Sequence, residues 1–161
     1  MRDIEGILPW TKSCFVCGVE NPGGLHLRSR IEKGRVFIDY ETRAEDVGYR
    51  HIVHGGIATT LLDEVMTWAA IVEMKGICVA AEMTTRLKRA LEVGVSVRVE
   101  GWVVKASRRV CYTEGRILDS SGAELLVSTG KYMPMPADGV ELTEKDFVVS
   151  PESINPKDII A

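Results

Sequence analysis

His54-Gly-Gly-Ile-Ala-Thr-Thr-Leu-Leu-Asp-Glu-Val-Met-Thr-Trp-Ala-Ala-Ile-Val-Glu-Met74, followed by Lys75-Gly76, is the stretch that decides the fold. Ile57, Leu61, Leu62, Val65, Met66, Trp68, Ala69, Ile71 and Val72 cover most of a helical circumference. A helix that is apolar on nearly every side belongs inside a core. Its polar residues still share one face, because Gly56, Thr59, Thr60, Asp63 and Thr67 recur at spacings of three and four. The spacing predicts one long buried helix, opened by His54-Gly-Gly and ending near Met74.

On both sides of this helix the period changes to two. Downstream, Ile77–Leu91 reads as a strand. Val95, Val97, Val99, Gly101 and Val103 alternate with polar or bulky neighbours in a clear strand pattern. Arg108–Leu118 and Glu124–Met133 read as two more strands, joined by an Asp119-Ser-Ser-Gly122 turn. Upstream, Leu25–Ile31 and Arg35–Thr42 form a short pair turning at Glu32-Lys-Gly34. Residues 43–53 read as a loop. Residues 1–24 form a turn-rich lead-in containing Cys14-Phe-Val-Cys-Gly18 and Asn21-Pro-Gly-Gly24. The main domain is expected over residues 25–135. Residues 136–161, with Pro136, Pro151 and Pro156, read as an irregular acidic tail. The pattern is α+β: one central helix against a curved antiparallel sheet. A single helix leaves sheet surface to cover, which predicts self-association.

The 161 residues suit one domain, and 45% hydrophobic with 27% charged residues is ordinary globular composition. The net charge of −3 comprises −4 in residues 137–161 and +1 in the remainder. It provides no basic footprint for nucleic acid. The most apolar run, Ile57–Met74, is broken by Asp63, Glu64 and Glu73, so no membrane span is expected. The first ten residues lack a long apolar run, and four cysteines without a paired framework suit a reducing compartment, so a cytoplasmic protein with reduced, structural thiols is expected. One Cys14-x-x-Cys17 pair without a second pair is a weak zinc signal, and no metal is expected.

The chemistry concentrates where the helix begins. A helix start exposes unpaired N–H groups and about half a positive charge. Gly55 and Gly56 leave that end open to an oxygen developing negative charge. Asp63 follows on the same face, about 10 Å further along the axis. Such a carboxylate can orient water or attack an activated acyl carbon. Glu64 points elsewhere and is expected to meet Arg86, Lys88 or a subunit partner. Arg86, Lys88 and Arg89 lie at one strand end, and Lys105, Arg108 and Arg109 flank a turn; together they are candidates for gripping phosphate.

The run His54–Ala69 resembles the helix of hot-dog-fold thioesterases, in the branch of phenylacetate-pathway (PaaI-like) acyl-CoA thioesterases. Cys14–Leu25 and Gly130–Pro134 resemble the lead-in and last strand of members of that superfamily. The resemblance implies an acyl-CoA thioesterase, active as a homodimer or homotetramer with its site at the subunit interface. No cofactor is implied beyond coenzyme A as part of the substrate. It places the oxyanion donors at Gly55 and Gly56, beside His54, and the catalytic acid at Asp63. Thr60, Thr84 and the six basic residues are the implied substrate contacts, and Met66, Trp68 and Met83 are candidates for the acyl slot. Three positions depart from the pattern. Gly48 stands where many relatives carry Asn or Gln, with Tyr49 and His51 as candidate substitutes. Ala80 stands where a Ser or Thr often assists the acid, and Val47 where a Gln is frequent. The alternatives are a non-catalytic acyl-CoA or fatty-acyl binding module, and a purely structural dimeric subunit. A dehydratase fits less well, because the histidine precedes the glycines.

Overall fold

The computed structural model describes residues 4–135 and 146–160. Their elements run β1 (Gly6–Ile7), β2 (Arg30–Glu32), β3 (Arg35–Glu41), β4 (Val47–Tyr49), β5 (Ile52–Val53), α1 (Gly55–Met74), β6 (Cys78–Leu87), β7 (Ser96–Ala106), β8 (Cys111–Leu118), β9 (Glu124–Pro134) and α2 (Pro156–Ile159). Seven strands form one antiparallel sheet in the order β1-β2-β3-β7-β8-β9-β6, and β4 and β5 make a separate ribbon.

The helix sits deep against this sheet because the sheet gives up side chains beneath it. A Cβ on Gly101 would lie 2.8 Å from the Val65 backbone, one on Gly115 2.9 Å from Met66 Sδ, and one on Gly130 2.6 Å from Met66 Cε. Gly101 and Gly115 are direct partners across β7 and β8. The three glycines form a trough, into which α1 buries Leu61, Leu62, Val65 and Met66 completely. Each such side chain contributes about 1.5–3 kcal/mol on burial. The helix stops at Lys75, whose left-handed φ of 59° carries its N–H back to Ile71 O.

The four long strands, the helix and the Asp119 turn lie where the periodicity predicts. Three differences, two upstream of the helix and one after β9, have local causes. β2 begins only at Arg30, because residues 25–27 pair instead with the lead-in: Leu25 N–H donates to Phe15 O and Leu27 N–H to Val16 O, both at 2.8 Å. The expected loop at 43–53 contains a 3-10 turn (Ala44–Asp46) and the β4–β5 ribbon. That turn is held by Asp46, a buried carboxylate that accepts from the Tyr40 hydroxyl and from Arg43 Nη2 at 2.8 Å. Burial alone would raise its pKa, but the Arg43 and Tyr40 hydrogen bonds win and lower it. The last segment is not loose. Val148 N–H donates to Trp10 O, Ile154 N–H to Ile7 O, and Phe147 meets Trp68 edge-on at 6.1 Å. Of the tail acids, Asp138, Glu141 and Glu144 lie outside the described residues.

Candidate active site

His54 caps α1 by turning its ring onto the first turn: Nδ1 accepts from Gly56 N–H at 2.9 Å. Its own N–H donates to Asp46 O at 2.8 Å, which ties the cap to the buried Asp46 network. Gly56's amide is therefore engaged. Gly55's N–H makes no hydrogen bond among the described residues, and nothing lies within 4 Å of where its Cβ would be. The open donor at the helix start is thus Gly55.

Asp63 lies further along the same face. Its Oδ1 accepts from the Tyr132 hydroxyl at 2.8 Å and from the Thr67 hydroxyl at 3.3 Å. Both bonds converge on one oxygen and leave Oδ2 unengaged among the described residues. Tyr132 comes from β9 and is fully buried. Burial and the nearby Asp63 carboxyl push its own pKa well above the ordinary value, so it stays a donor. Tyr132 is a site residue the motif reading missed. Its signal was its place at an inward position of a predicted strand, but nothing local marks which helix residue it meets. Thr60 spends its hydroxyl on Gly56 O at 2.8 Å.

Gly55 and Asp63 are eight positions apart on one rigid helix, about 12 Å along the axis. A carbonyl held by one amide, and reached by its base directly or through one water, spans less than that.

The six basic residues do not form one cluster. Arg86, Lys88 and Arg89 end β6 on the side where α1 begins, since Val53 N–H donates to Leu91 O at 2.8 Å. Lys105, Arg108 and Arg109 lie at the opposite end, where Ala106 pairs with Cys111 and Cys111 with Tyr132. Lys88 is ion-paired with Glu124. Thr84 and Arg86 point away from α1, into a hollow of about 350 Å³ shared with Trp102, Glu114 and Arg116 on the outer sheet face. That hollow lies across the sheet from Asp63. Of the residues expected to line an acyl slot, Met66 and Trp68 are core and Met83 is partly buried. Glu64 meets neither Arg86 nor Lys88: it accepts from Trp68 Nε1 at 3.1 Å and lies beside the Cys14 and Cys17 thiols.

One long helix in the trough of a seven-stranded antiparallel sheet is an architecture with many relatives of known structure. One, described as a thioesterase superfamily protein, superposes with a TM-score of 0.69 at 22% identity, covering 76% of this chain. The Escherichia coli PaaI protein from the phenylacetic acid degradation operon superposes with a TM-score of 0.61 at 17% identity, over 68% of this chain and 78% of its own. A Streptococcus mutans UA159 protein bound to acetyl CoA gives 0.62 at 16% identity, over 84% and 93%. The fold is the hot-dog fold. Residues 51–126, from just before β5 into β9, match the model of the thioesterase superfamily. The resemblance to hot-dog thioesterases carried by the helix motif therefore holds. The chain spans 60% of the length of the first of these relatives. No curated protein matches it.

Within this hot-dog fold two of the departures have physical reasons. A Cβ on Gly48 would lie 2.9 Å from His54 Cα, so glycine lets the β4–β5 ribbon close onto the helix cap. Ala80 is the cross-strand partner of Tyr132, the residue whose hydroxyl holds Asp63. Tyr49 projects into solvent and His51 faces Glu92 at 3.8 Å, so neither takes the place of a side chain at Gly48.

Proposed function

We propose that this chain is an acyl-CoA thioesterase, hydrolysing the thioester to a free acid and coenzyme A. The observation that carries the reading is the pair of prepared half-sites on α1: an unengaged amide at Gly55, and a carboxylate at Asp63 held through one oxygen only. Because they are about 12 Å apart along one helix, the working site takes Gly55 from one subunit and Asp63 from a second copy. The β6 edge, ten residues long and mostly exposed, is the surface offered for that pairing.

In this site the thioester oxygen lies against Gly55 N–H, where the helix dipole favours the charge that grows on it. Oδ2 of Asp63 takes a proton from water as it attacks, or itself attacks to give a mixed anhydride that water then cleaves. Coenzyme A leaves as its thiol. The acetyl-CoA-bound Streptococcus mutans relative supports coenzyme A esters as the ligand class. Arg89, at the Gly55 end of the sheet, is the phosphate candidate.

The competing reading is a binding module without turnover. It is favoured by the engagement of Gly56's amide with His54 and by the missing side chain at Gly48. Thiol release from short, long and aromatic acyl-CoAs separates the two. The enzyme reading expects turnover on at least one ester. No turnover, with coenzyme A esters still raising Tm, establishes the binding module. Light scattering is expected to show a dimer or tetramer; a 17.8 kDa monomer that turns over would overturn the shared site.

A further inference from the structure

The lead-in turn and Glu64, a helix acid that the proposed mechanism leaves unused, meet at one place. The segment Cys14–Gly18 folds into a tight turn: Gly18 N–H donates to Cys14 O at 2.9 Å, and Val16 N–H donates to Cys14 Sγ at 3.3 Å. A Cβ on Gly18 would lie 2.5 Å from both Cys14 N and Lys12 O, so only glycine closes it. The turn is fastened on several sides. Glu20 N–H donates to Lys12 O at 3.0 Å, and Arg28 donates to Cys17 O at 2.6 Å while stacking on Trp10 at 3.9 Å. Cys14 is half-buried and reachable from solvent, whereas Cys17 is buried behind it. Beneath both lies the mostly buried Glu64, held by Trp68.

We propose that Cys14 and Cys17 form a redox-active dithiol, a site at which a hydroperoxide converts the pair to a disulfide. Three features separate this pair from ordinary core thiols. Cys14 receives a backbone N–H on its sulfur, which favours the thiolate that does the chemistry. The hydrogen bond from the Cys17 thiol is the larger effect, and with the backbone amides it lowers Cys14 against the opposing effect of burial. Burial, with the Cys14 sulfur beside it, pushes Glu64 up to about 8, which favours its neutral form under the pair. The other two cysteines are an internal contrast. Cys78 and Cys111 are buried in the core, and burial pushes them up to about 12 and about 11.

The chemistry balances within the pair and the peroxide. The Cys14 thiolate attacks the outer peroxide oxygen, the O–O bond breaks, and the remaining oxygen leaves as an alcohol or water after taking a proton from solvent. Cys14 is then a sulfenic acid. The Cys17 sulfur attacks the Cys14 sulfur, the S–O bond breaks, and hydroxide leaves as water with the Cys17 proton. The two thiols supply the two electrons that the peroxide takes up.

The test is mass mapping of the reduced full chain after hydrogen peroxide, alongside alkylation by iodoacetamide at neutral pH. The expected result is loss of two hydrogens localised to the peptide carrying Cys14 and Cys17. Cys14 is expected to alkylate at least about tenfold faster than Cys78 and Cys111, as thiolate character predicts. Cys17→Ser is expected to stop at a sulfenic acid on Cys14, trapped by a dicarbonyl probe. Two results would overturn the proposal: Cys14 alkylating no faster than the core cysteines, or wild type passing to higher oxides of Cys14 without a disulfide. Thiol mass is the readout, so the outcome is independent of acyl-CoA turnover.

Discussion

Tyr132→Phe removes a single oxygen from the fold and tests whether Asp63 is held for work. The ring stays packed, since its Cε2 edge fills the space a Gly130 side chain would need. What is lost is the 2.8 Å hydrogen bond to Asp63 Oδ1, which leaves that oxygen only the 3.3 Å bond from Thr67. A hydrogen bond to a charged group contributes about 1.5–3 kcal/mol net. Asp63 is only partly buried, so water recovers some of the loss and the lower figure applies. For a chain of this length about 1.5 kcal/mol lowers Tm by about 3–6 °C. A carboxylate free to rotate away from its productive angle costs a similar amount in the transition state, about tenfold in kcat with KM unchanged. The assay pairs thermal unfolding with thiol release, for Tyr132→Phe, Asp63→Ala, which removes the accepting oxygen, and the double variant. Coupling of about 0.5–3 kcal/mol between the two changes is expected for groups in contact. If Tyr132→Phe melts and turns over like wild type, or if the two changes simply add, the hydroxyl does not hold the acid.

Other consequences follow from the packing and from Glu64. Gly101→Ala puts a methyl against the Val65 backbone, which cannot swing aside as a side chain can, and is expected to cost about 3 kcal/mol in urea unfolding; a loss under about 0.5 kcal/mol would mean the helix does not sit in the trough. Lys75→Gly relieves a left-handed residue at the helix end and is expected to add about 1 kcal/mol; destabilisation would show that the Lys75 side chain matters more than its backbone. Glu64 carries a pKa raised from 4.5 to about 8, chiefly by burial, so the folded state binds its proton more tightly than the unfolded chain. Its contribution is fully present below 4.5 and is lost as pH rises through about 8. Wild type is therefore expected to lose stability relative to Glu64→Gln across that window, and parallel stability curves would contradict it.

The helix was legible because its cues are local. A nearly all-apolar run of 3.6 period, a glycine entrance and a Lys-Gly exit lie within one stretch of sequence. β7, with its alternating valines, was legible for the same reason at period two, whereas β6 alternates poorly and was read as a strand only from the change of pattern after Lys75-Gly76. The β4–β5 ribbon was not, because it is organised by Asp46, and a carboxylate in a polar loop looks solvated until Tyr40 and Arg43 are seen to close over it. The short β2 reflects competition with the lead-in for the same backbone donors. In the site, Asp63 stood out as an acid on an apolar helix. Tyr132 did not, because its contact spans 69 positions and depends on the sheet register. Glu64 was misread for a related reason: its neighbours are thiols from the lead-in, not the basic residues of the next strand. The two basic groups looked like one patch because a strand list carries no information about which sheet end each residue reaches.

The central claim is that Asp63 performs the chemistry on a thioester, and one comparison tests it most directly. Thiol release from the best acyl-CoA of the panel is measured for wild type and Asp63→Asn, with Tm recorded for both. The amide keeps the shape and the Tyr132 bond while removing the base. The account predicts a fall of about 10²–10⁴-fold in kcat with Tm little changed. Turnover undiminished in Asp63→Asn would contradict it.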